Sequence, residues 1–307
     1  MTKYLIKRIL YGTATILIVL TLAFLILHII PGDPVKALTG IFLTEEAYQR
    51  MRETIGLNDP LGIQYLNYIK GILTGSLGHS LRQKQPVTNL IIQYLPNTIK
   101  LVAFTLLIAV STSILLGVIS YKRKGTIIDR IIMFFTMVFQ SLPNFWIGVI
   151  LILFFAVELK ILPPLGSKGF KSIILPSVAL SIGLIPVLVR FIRYKIGEVM
   201  MEEFVLSLRS RGIKENIIIY KHVLKNITIP LVTIISQQLG NLLAGAFIIE
   251  RVFNFKGIGF LGIMAATDRD YPLLQGIVVF VAIIFIAINI LTDIFYTFID
   301  PRIKYAK

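Results

Sequence analysis

The chain has 307 residues, of which 56% are hydrophobic and only 15% charged, with a mean hydropathy of +0.82. Soluble globular chains carry about 25% charged residues, so this composition excludes a soluble enzyme, a disordered protein and a nucleic-acid-binding domain. The net charge of +15 is read against a membrane instead, and the absence of cysteine removes disulfides, cysteine-ligated metal and a cysteine nucleophile together.

Six long runs carry no charge: Ile9–Gly32, Leu101–Tyr121, Ile131–Val157, Ser172–Val189, Asn226–Ile249 and Tyr271–Thr292. Crossing a bilayer core takes about 20 apolar residues. The runs therefore predict an all-α membrane protein with six transmembrane helices.

In chain order, residues 1–8 form a basic tail with Lys3, Lys7 and Arg8. The first helix is expected over 9–30. Its apolar stretch is too long for a signal peptide, whose apolar region runs about 7–15 residues, and Ile29–Pro34 offers no small-residue cleavage site. Pro31-Gly32-Asp33-Pro34 then stops the helix, because proline fixes its own φ and restricts the residue before it. Residues 31–100 are expected as an extracytoplasmic segment with a short helical cap. Thr44-Glu45-Glu46 reads as a helix start, with a cap oxygen followed by carboxylates near the positive end of the helix dipole. Asn58-Asp59-Pro60 and Gly75–Gly78 read as turns.

Residues 101–299 hold the remaining five spans and a long basic loop, 190–225. Ile131–Val157 is read as one span. In the loop, a helix is expected from Glu202 to about Ser210, with Phe204 and Leu208 on one face. Gly212 interrupts it. A second short helix is expected from Ile213 to about Leu224, with Ile213, Ile217 and Tyr220 forming an apolar stripe. A loop this short cannot bury such a stripe by itself, so it either seals the helix ends or docks on a partner. Gly257-Ile258-Gly259-Phe260-Leu261-Gly262 fits G-x-G-x-x-G but lacks the strand-to-helix context of a dinucleotide site. It is expected as a tight turn before the last span. Residues 300–307 form a second basic tail.

Cations fix the orientation. With six spans, one side carries 18 Lys and Arg in the two tails and the loops at 122–130 and 190–225. The short loops of the other side carry six, the long 31–100 stretch being set aside because long loops cross regardless of charge. Both termini are predicted to be cytoplasmic.

No Gly-Lys dipeptide occurs, so a phosphate-binding loop is absent from the sequence. His28, His79 and His222 lack ligand spacing, so no metal is expected. No catalytic residue and no cofactor are expected of this chain. Polar groups cluster within the spans: Ser141 and Asn144 in the third, Gln237, Gln238 and Asn241 in the fifth, and Asn289 with Asp293 in the sixth. Such groups need partners or water in hydrocarbon. They read as a translocation path or as interhelical hydrogen bonding.

The chain resembles the B-type permease subunit of dipeptide/oligopeptide/nickel ABC importers. The resemblance runs over nearly the whole length. It is carried by Tyr4-Leu5-Ile6-Lys7-Arg8-Ile9-Leu10, Pro31-Gly32-Asp33-Pro34, Gly56-Leu57-Asn58-Asp59-Pro60-Leu61 and Ser141-Leu142-Pro143-Asn144-Phe145-Trp146. Leu208-Arg209-Ser210-Arg211-Gly212, His222-Val223-Leu224-Lys225-Asn226, Glu250-Arg251-Val252-Phe253 and Arg269-Asp270-Tyr271-Pro272 continue it. Leu206, Ser207 and Leu208 depart from it, standing where the wider importer motif reads Glu-Ala-Ala. The resemblance implies a type I ABC importer permease fold and a set of partners: a second, paralogous permease subunit giving a heterodimer, two cytoplasmic ATPase subunits and an extracytoplasmic substrate-binding protein. It implies that Arg209, Arg211, Gly212, Ile213, Ile217, His222 and Asn226 couple to the ATPases, and that Asp268, Arg269 and Asp270 contact the binding protein. Peptides, nickel or a nickel chelate are the implied cargoes. The competing expectation is a self-sufficient ion-coupled carrier built on Asp293 and Asn289.

Overall fold

The structure is a computed structural model that describes residues 2–29, 44–167 and 169–299, with side chains inside helices described except at 2–9, 26–29, 51, 54–55 and 292–299. Twelve helices are described: α1 Thr2–Ile29, α2 Glu45–Ile55, α3 Leu61–Leu73, α4 Val87–Lys122, α5 Ile127–Ser141, α6 Asn144–Leu151, α7 Lys171–Val199, α8 Glu203–Ser210, α9 Glu215–Ile217, α10 Leu224–Val252, α11 Ile258–Thr267 and α12 Tyr271–Ile299. The chain divides into two compact units, residues 1–96 with 257–307, and residues 97–256.

The expected helix start at Thr44 is present. The Thr44 hydroxyl accepts from the Ala47 N–H, Glu45 and Glu46 fill the first turn, and Gly56 closes α2 in the left-handed region at φ 75°. α4 begins at Val87, well before the uncharged run at Leu101, and carries Pro96 and Lys100 inside one 36-residue helix. Likewise α7 carries Arg190, Arg193 and Lys195, which the sequence placed in a loop.

Four elements are single apolar rods long enough to cross a membrane among the described residues: α4, α7, α9 with α10, and α12. A fifth is broken. The predicted single span Ile131–Val157 is two helices, Ile127–Ser141 and Asn144–Glu158, meeting at 103°. Pro143 explains the correction, since it forces its predecessor out of the helical region. Leu142 takes φ −95°, ψ 135°, and the helix restarts only after the proline. The second piece ends in a wider, π-helical stretch, Ile152–Glu158. The described apolar part of α1 is Leu10–Leu25.

A second correction concerns Gly257–Gly262. These glycines form no turn; Gly257 precedes α11, and Gly259 and Gly262 sit buried within that helix. Neither has a positive φ.

In the unit 97–256, α7 is the centre. Two-thirds (67%) of its apolar window is buried, against 17–28% in the other long rods. One cluster joins Leu188, Ile192 and Ile196 of α7 to Val205 of α8, Ile218, Ile219 and Val223. A second joins Leu175, Ala179 and Leu180 to Leu242, Ala246, Ile249 and Phe253 of the α10 end. Lipid is as apolar as leucine, so helices in a bilayer associate through close packing and polar links rather than through water exclusion. Glycine supplies the closeness. A Cβ on Gly117 would stand 2.7 Å from the Ile192 side chain, and one on Gly148 would stand 3.0 Å from the Phe253 ring. In the unit 1–96 with 257–307, α12 packs on α1 and on α11.

Candidate functional site

The segment between α7 and α10 is built around one turn. α8 ends at Ser210, and Gly212 follows at φ +75° with open space around its Cβ position. The Gly212 N–H donates to the Arg209 carbonyl (2.9 Å) and the Ile213 N–H to the Leu208 carbonyl (3.2 Å). An L-residue in that region is strained by roughly 1–2 kcal/mol, which is why glycine stands there. The expected separate second helix is corrected: α9 runs through a π-helical turn, Ile218–Val223, straight into α10. The turn thus leads, through Ile213 and Lys214, into a rod that reaches Val252.

The expected apolar stripe is also placed differently. Ile218, Ile219 and Val223 are the buried face, together with Val205 of α8, while Phe204, Leu208 and Ile213 pack partly against them. Ile217 and Tyr220 stay exposed, as do Met201 and Leu206. Arg209 turns inward to its own loop: its guanidinium forks onto Glu215, at 2.5 and 3.2 Å. That carboxylate raises the Arg209 pKa still further, so the cation is permanent. Arg211 and Asn226 are exposed and His222 is half-buried. Beside the turn opens a cavity of about 670 Å³ lined by Tyr121, Lys122, Lys124, Arg193, Glu198 and Glu215, among others, large enough to admit side chains of a partner.

The sequence reading missed the clamp behind this segment. Asp129, at the start of α5, is buried and accepts from Nε and Nη2 of Arg193 (2.9 Å each), from the Ser120 hydroxyl (2.5 Å) and from the Gly125 N–H (3.0 Å). It ties the ends of α4, α5 and α7 together. An acid in the first turn of an apolar helix was a visible signal for a dipole partner; a partner 64 positions away was not.

The expected path residues separate into groups. The Asn144 side chain packs in the gap left by Gly183, where a Cβ would stand 2.4 Å from its Oδ1, and lies near Gly245 as well. This joins α6, α7 and α10. Asn241 donates to Gln238 within α10 at 3.1 Å, and Gln237 is exposed. Ser141 bonds back to the Met137 carbonyl (3.0 Å). Asn289 belongs to the other unit and donates to the Phe285 carbonyl one turn earlier (3.0 Å). The side chain of Asp293 lies outside the described residues. Gly183→Ala is expected to push the Asn144 amide aside. Overpacking of this kind costs about 1–3 kcal/mol, so a melting point lowered by a few degrees should accompany any transport defect.

Asp268, Arg269 and Asp270 close α11 and open α12. Arg269 is exposed with φ 53°, and Asp268 is half-buried. Asp270 is 0% exposed. Its carboxylate is occupied inside the protein and not offered at the surface. It accepts from the Ser80 hydroxyl (2.5 Å) and from the N–H groups of Arg82 (3.0 Å), Leu81 and Leu273 (3.3 Å each).

Two family models match the chain. Residues 109–305 match the binding-protein-dependent transport system inner membrane component, and residues 1–102 match the N-terminal region of such membrane components. Among curated relatives, a probable peptide ABC transporter permease protein, y4tP, of Sinorhizobium fredii is 34% identical over 99% of this chain and all of the relative. The dipeptide transport system permease protein DppB of Alkalihalophilus pseudofirmus is 33% identical at the same coverage. The glutathione transport system permease protein GsiC of Pectobacterium atrosepticum is 36% identical, again at the same coverage. Among solved structures, the MetNI methionine ABC transporter in an inward facing conformation superimposes with a TM-score of 0.55 at 20% identity, covering 67% of this chain and 94% of that one. At that identity the likeness speaks for the fold, a type I importer permease core.

Proposed function

Because the chain belongs to the family of binding-protein-dependent transport system inner membrane components, we propose that it is the subunit through which an ATP-driven importer passes peptides across the membrane. The observation that carries this is the Gly212 turn. It presents exposed Met201, Leu206, Ile217 and Tyr220, lies beside a cavity that Met201 and Glu215 help to line, and leads into a rod long enough to cross the bilayer. Push or pull on the turn moves α10 as a lever. In this reading both termini and the turn face the cytoplasm, two separate ATPase subunits grip the turn, a second permease subunit completes the path, and a binding protein delivers cargo from outside. Arg211, Ile217 and Asn226 are the exposed contact residues; Arg209 shapes the turn through Glu215. Asn144, Gln238 and Asn241 belong to the path within their unit.

The relatives support this cargo class, since their names specify peptides, dipeptides and glutathione. These are short chains with charged ends and amide groups, which amide side chains such as Asn144, Gln238 and Asn241 suit. A nickel chelate is the other small solute such side chains would admit.

The test is reconstitution in vesicles with the cognate ATPases, partner permease and binding protein. Labelled dipeptide should accumulate only with ATP and binding protein both present. Accumulation by the purified chain under a proton or sodium gradient, without ATP, would instead establish the ion-coupled carrier.

A further inference from the structure

α3 has two apolar faces, and only one is covered. Tyr65, Tyr68 and Ile72, each half-buried, form the covered face. The Tyr65 ring packs edge-on against Phe24 of α1 (5.2 Å, 68°), and its hydroxyl hydrogen-bonds to that of Thr21 (2.7 Å). The Tyr68 ring stacks on Phe24 from the other position (5.8 Å, 30°), and its phenol lies beside Gln275 of α12. On another side of the helix stand Ile63, Leu66 and Leu73, with Leu66 67% and Leu73 82% exposed. The helix holds one charged residue, Lys70, on that same side.

Depth decides what covers the second face. α1 and α12 run antiparallel, because Gly12 sits against Ile286 and Ile290 while Phe24 shares Tyr68 with Gln275. Gln275 is four residues from the start of α12, a depth of about 6 Å at about 1.5 Å per residue. Phe24 shares that level through Tyr68. Thr21, three residues earlier in α1, lies about 4.5 Å deeper. The Tyr65 hydroxyl therefore reaches a polar partner inside the hydrocarbon zone, which is where such a pair is needed. The reach of the tyrosine side chains accounts for part of that depth. The α3 backbone then sits at the boundary of headgroups and acyl chains, where interfacial helices bury their apolar side by about 5–10 Å.

We propose that α3 is an interfacial helix seated in the outer leaflet, with Ile63, Leu66 and Leu73 in contact with phospholipid acyl chains and Lys70 reaching up to the phosphates along its own aliphatic stem. The segment between the first two spans is then anchored in the membrane beside α1, and it is not a cap standing free in water. A soluble binding protein does not penetrate to this depth, so it is not the occupant.

The cysteine-free sequence makes the test direct. Leu66→Cys, Leu73→Cys and Asn67→Cys, each carrying a spin label, are assembled with the full transporter in phospholipid nanodiscs. Power saturation is measured against oxygen and against a water-soluble nickel chelate. The labels at 66 and 73 are expected to favour oxygen over the chelate, the label at 67 is expected to shift toward the chelate, and adding binding protein should change neither 66 nor 73. Chelate accessibility exceeding oxygen accessibility at both 66 and 73 would place the face in water and overturn the proposal. Low accessibility to both reagents would assign the face to another protein subunit, and protection on adding binding protein would assign it to that protein; either result also overturns it. Because the depth measurement is blind to ATP coupling and to which side faces the cytoplasm, its failure leaves the transport reading standing.

Discussion

Gly212→Pro is expected to reach the membrane in normal amount and yet to lose ATP-driven uptake. Proline cannot take φ +75°, and it has no N–H to give the Arg209 carbonyl. The mismatch costs about 3 kcal/mol or more, and the lost hydrogen bond adds about 1. The turn is a short exposed segment, and such segments open locally at a small fraction of the global stability. It therefore gives way before the helices do. The cores at Leu188, Ile192 and Ile218 do not include it. Once the turn is remodelled, the exposed residues on α8 and α9 lose their relative placement, and a partner that grips both halves no longer moves α10. Uptake should fall more than about ten-fold, the effect of about 1.4 kcal/mol of lost coupling, while ATP hydrolysis continues without transport. Gly212→Ala keeps the N–H and meets no neighbour within 4 Å. It bears only the backbone strain, roughly 1–2 kcal/mol, and should transport at an intermediate rate. The measurements are uptake, ATP turnover and membrane level on the same vesicles. Normal uptake by the proline variant would show that the turn transmits nothing.

This site was legible in the sequence because its signals are local. A glycine between two amphipathic stretches needs no long-range knowledge, and Glu203–Ser210 followed by a left-handed Gly212 is what the pattern predicts. Long uncharged runs are legible for the same reason, since bilayer thickness sets their length. Three things were not. The break at Leu142-Pro143 competes with a run of uniformly apolar residues, and hydropathy has no means of weighing one proline against 27 uncharged positions. The stripe at Ile213, Ile217 and Tyr220 assumed one regular helix from Ile213, whereas the helix begins only at Glu215 and passes into the π-helical stretch Ile218–Val223, and the buried face is Ile218, Ile219 and Val223. The third concerns contacts between distant residues. Arg209 with Glu215 was within reach of a spacing argument, but Asp129 with Arg193 and Ser80 with Asp270 depend on how helices from far-separated parts of the chain pack.

Asp270 is where that last gap has the largest consequence. A conspicuous Arg-Asp pair just before a span reads as a surface contact, and Arg269 is one that a partner can reach. Asp270 is not. It caps α12 through the Leu273 N–H and holds residues 80–82 against the same helix end through three further donors. Those donors come from the loop whose ends are joined by the Ser80 N–H to Gln85 carbonyl bond and the Val87 N–H to Gly78 carbonyl bond. Gly276 admits that loop, since a Cβ there would stand 2.6 Å from Val87. Asp270→Ala removes every acceptor at once. Each buried donor left unsatisfied costs about 1–3 kcal/mol, and loss of a cap about 1; water entering part of the gap brings the expected total to about 3–5 kcal/mol. For a membrane domain of this size that is a fall in melting temperature on the order of 10 °C, or failure to accumulate at all. Ser80→Ala removes one hydrogen bond to the carboxylate and should cost about 1.5–3 kcal/mol. Arg269→Ala should leave the melting point unchanged. The comparison is made on detergent-purified protein without any binding protein, which separates the two possible roles. If Asp270 serves only as a contact for the delivery protein, the alanine variant melts with the parent and fails only when cargo is handed over. If it is the internal clasp, the loss appears in the isolated chain, and Ser80→Ala shares it.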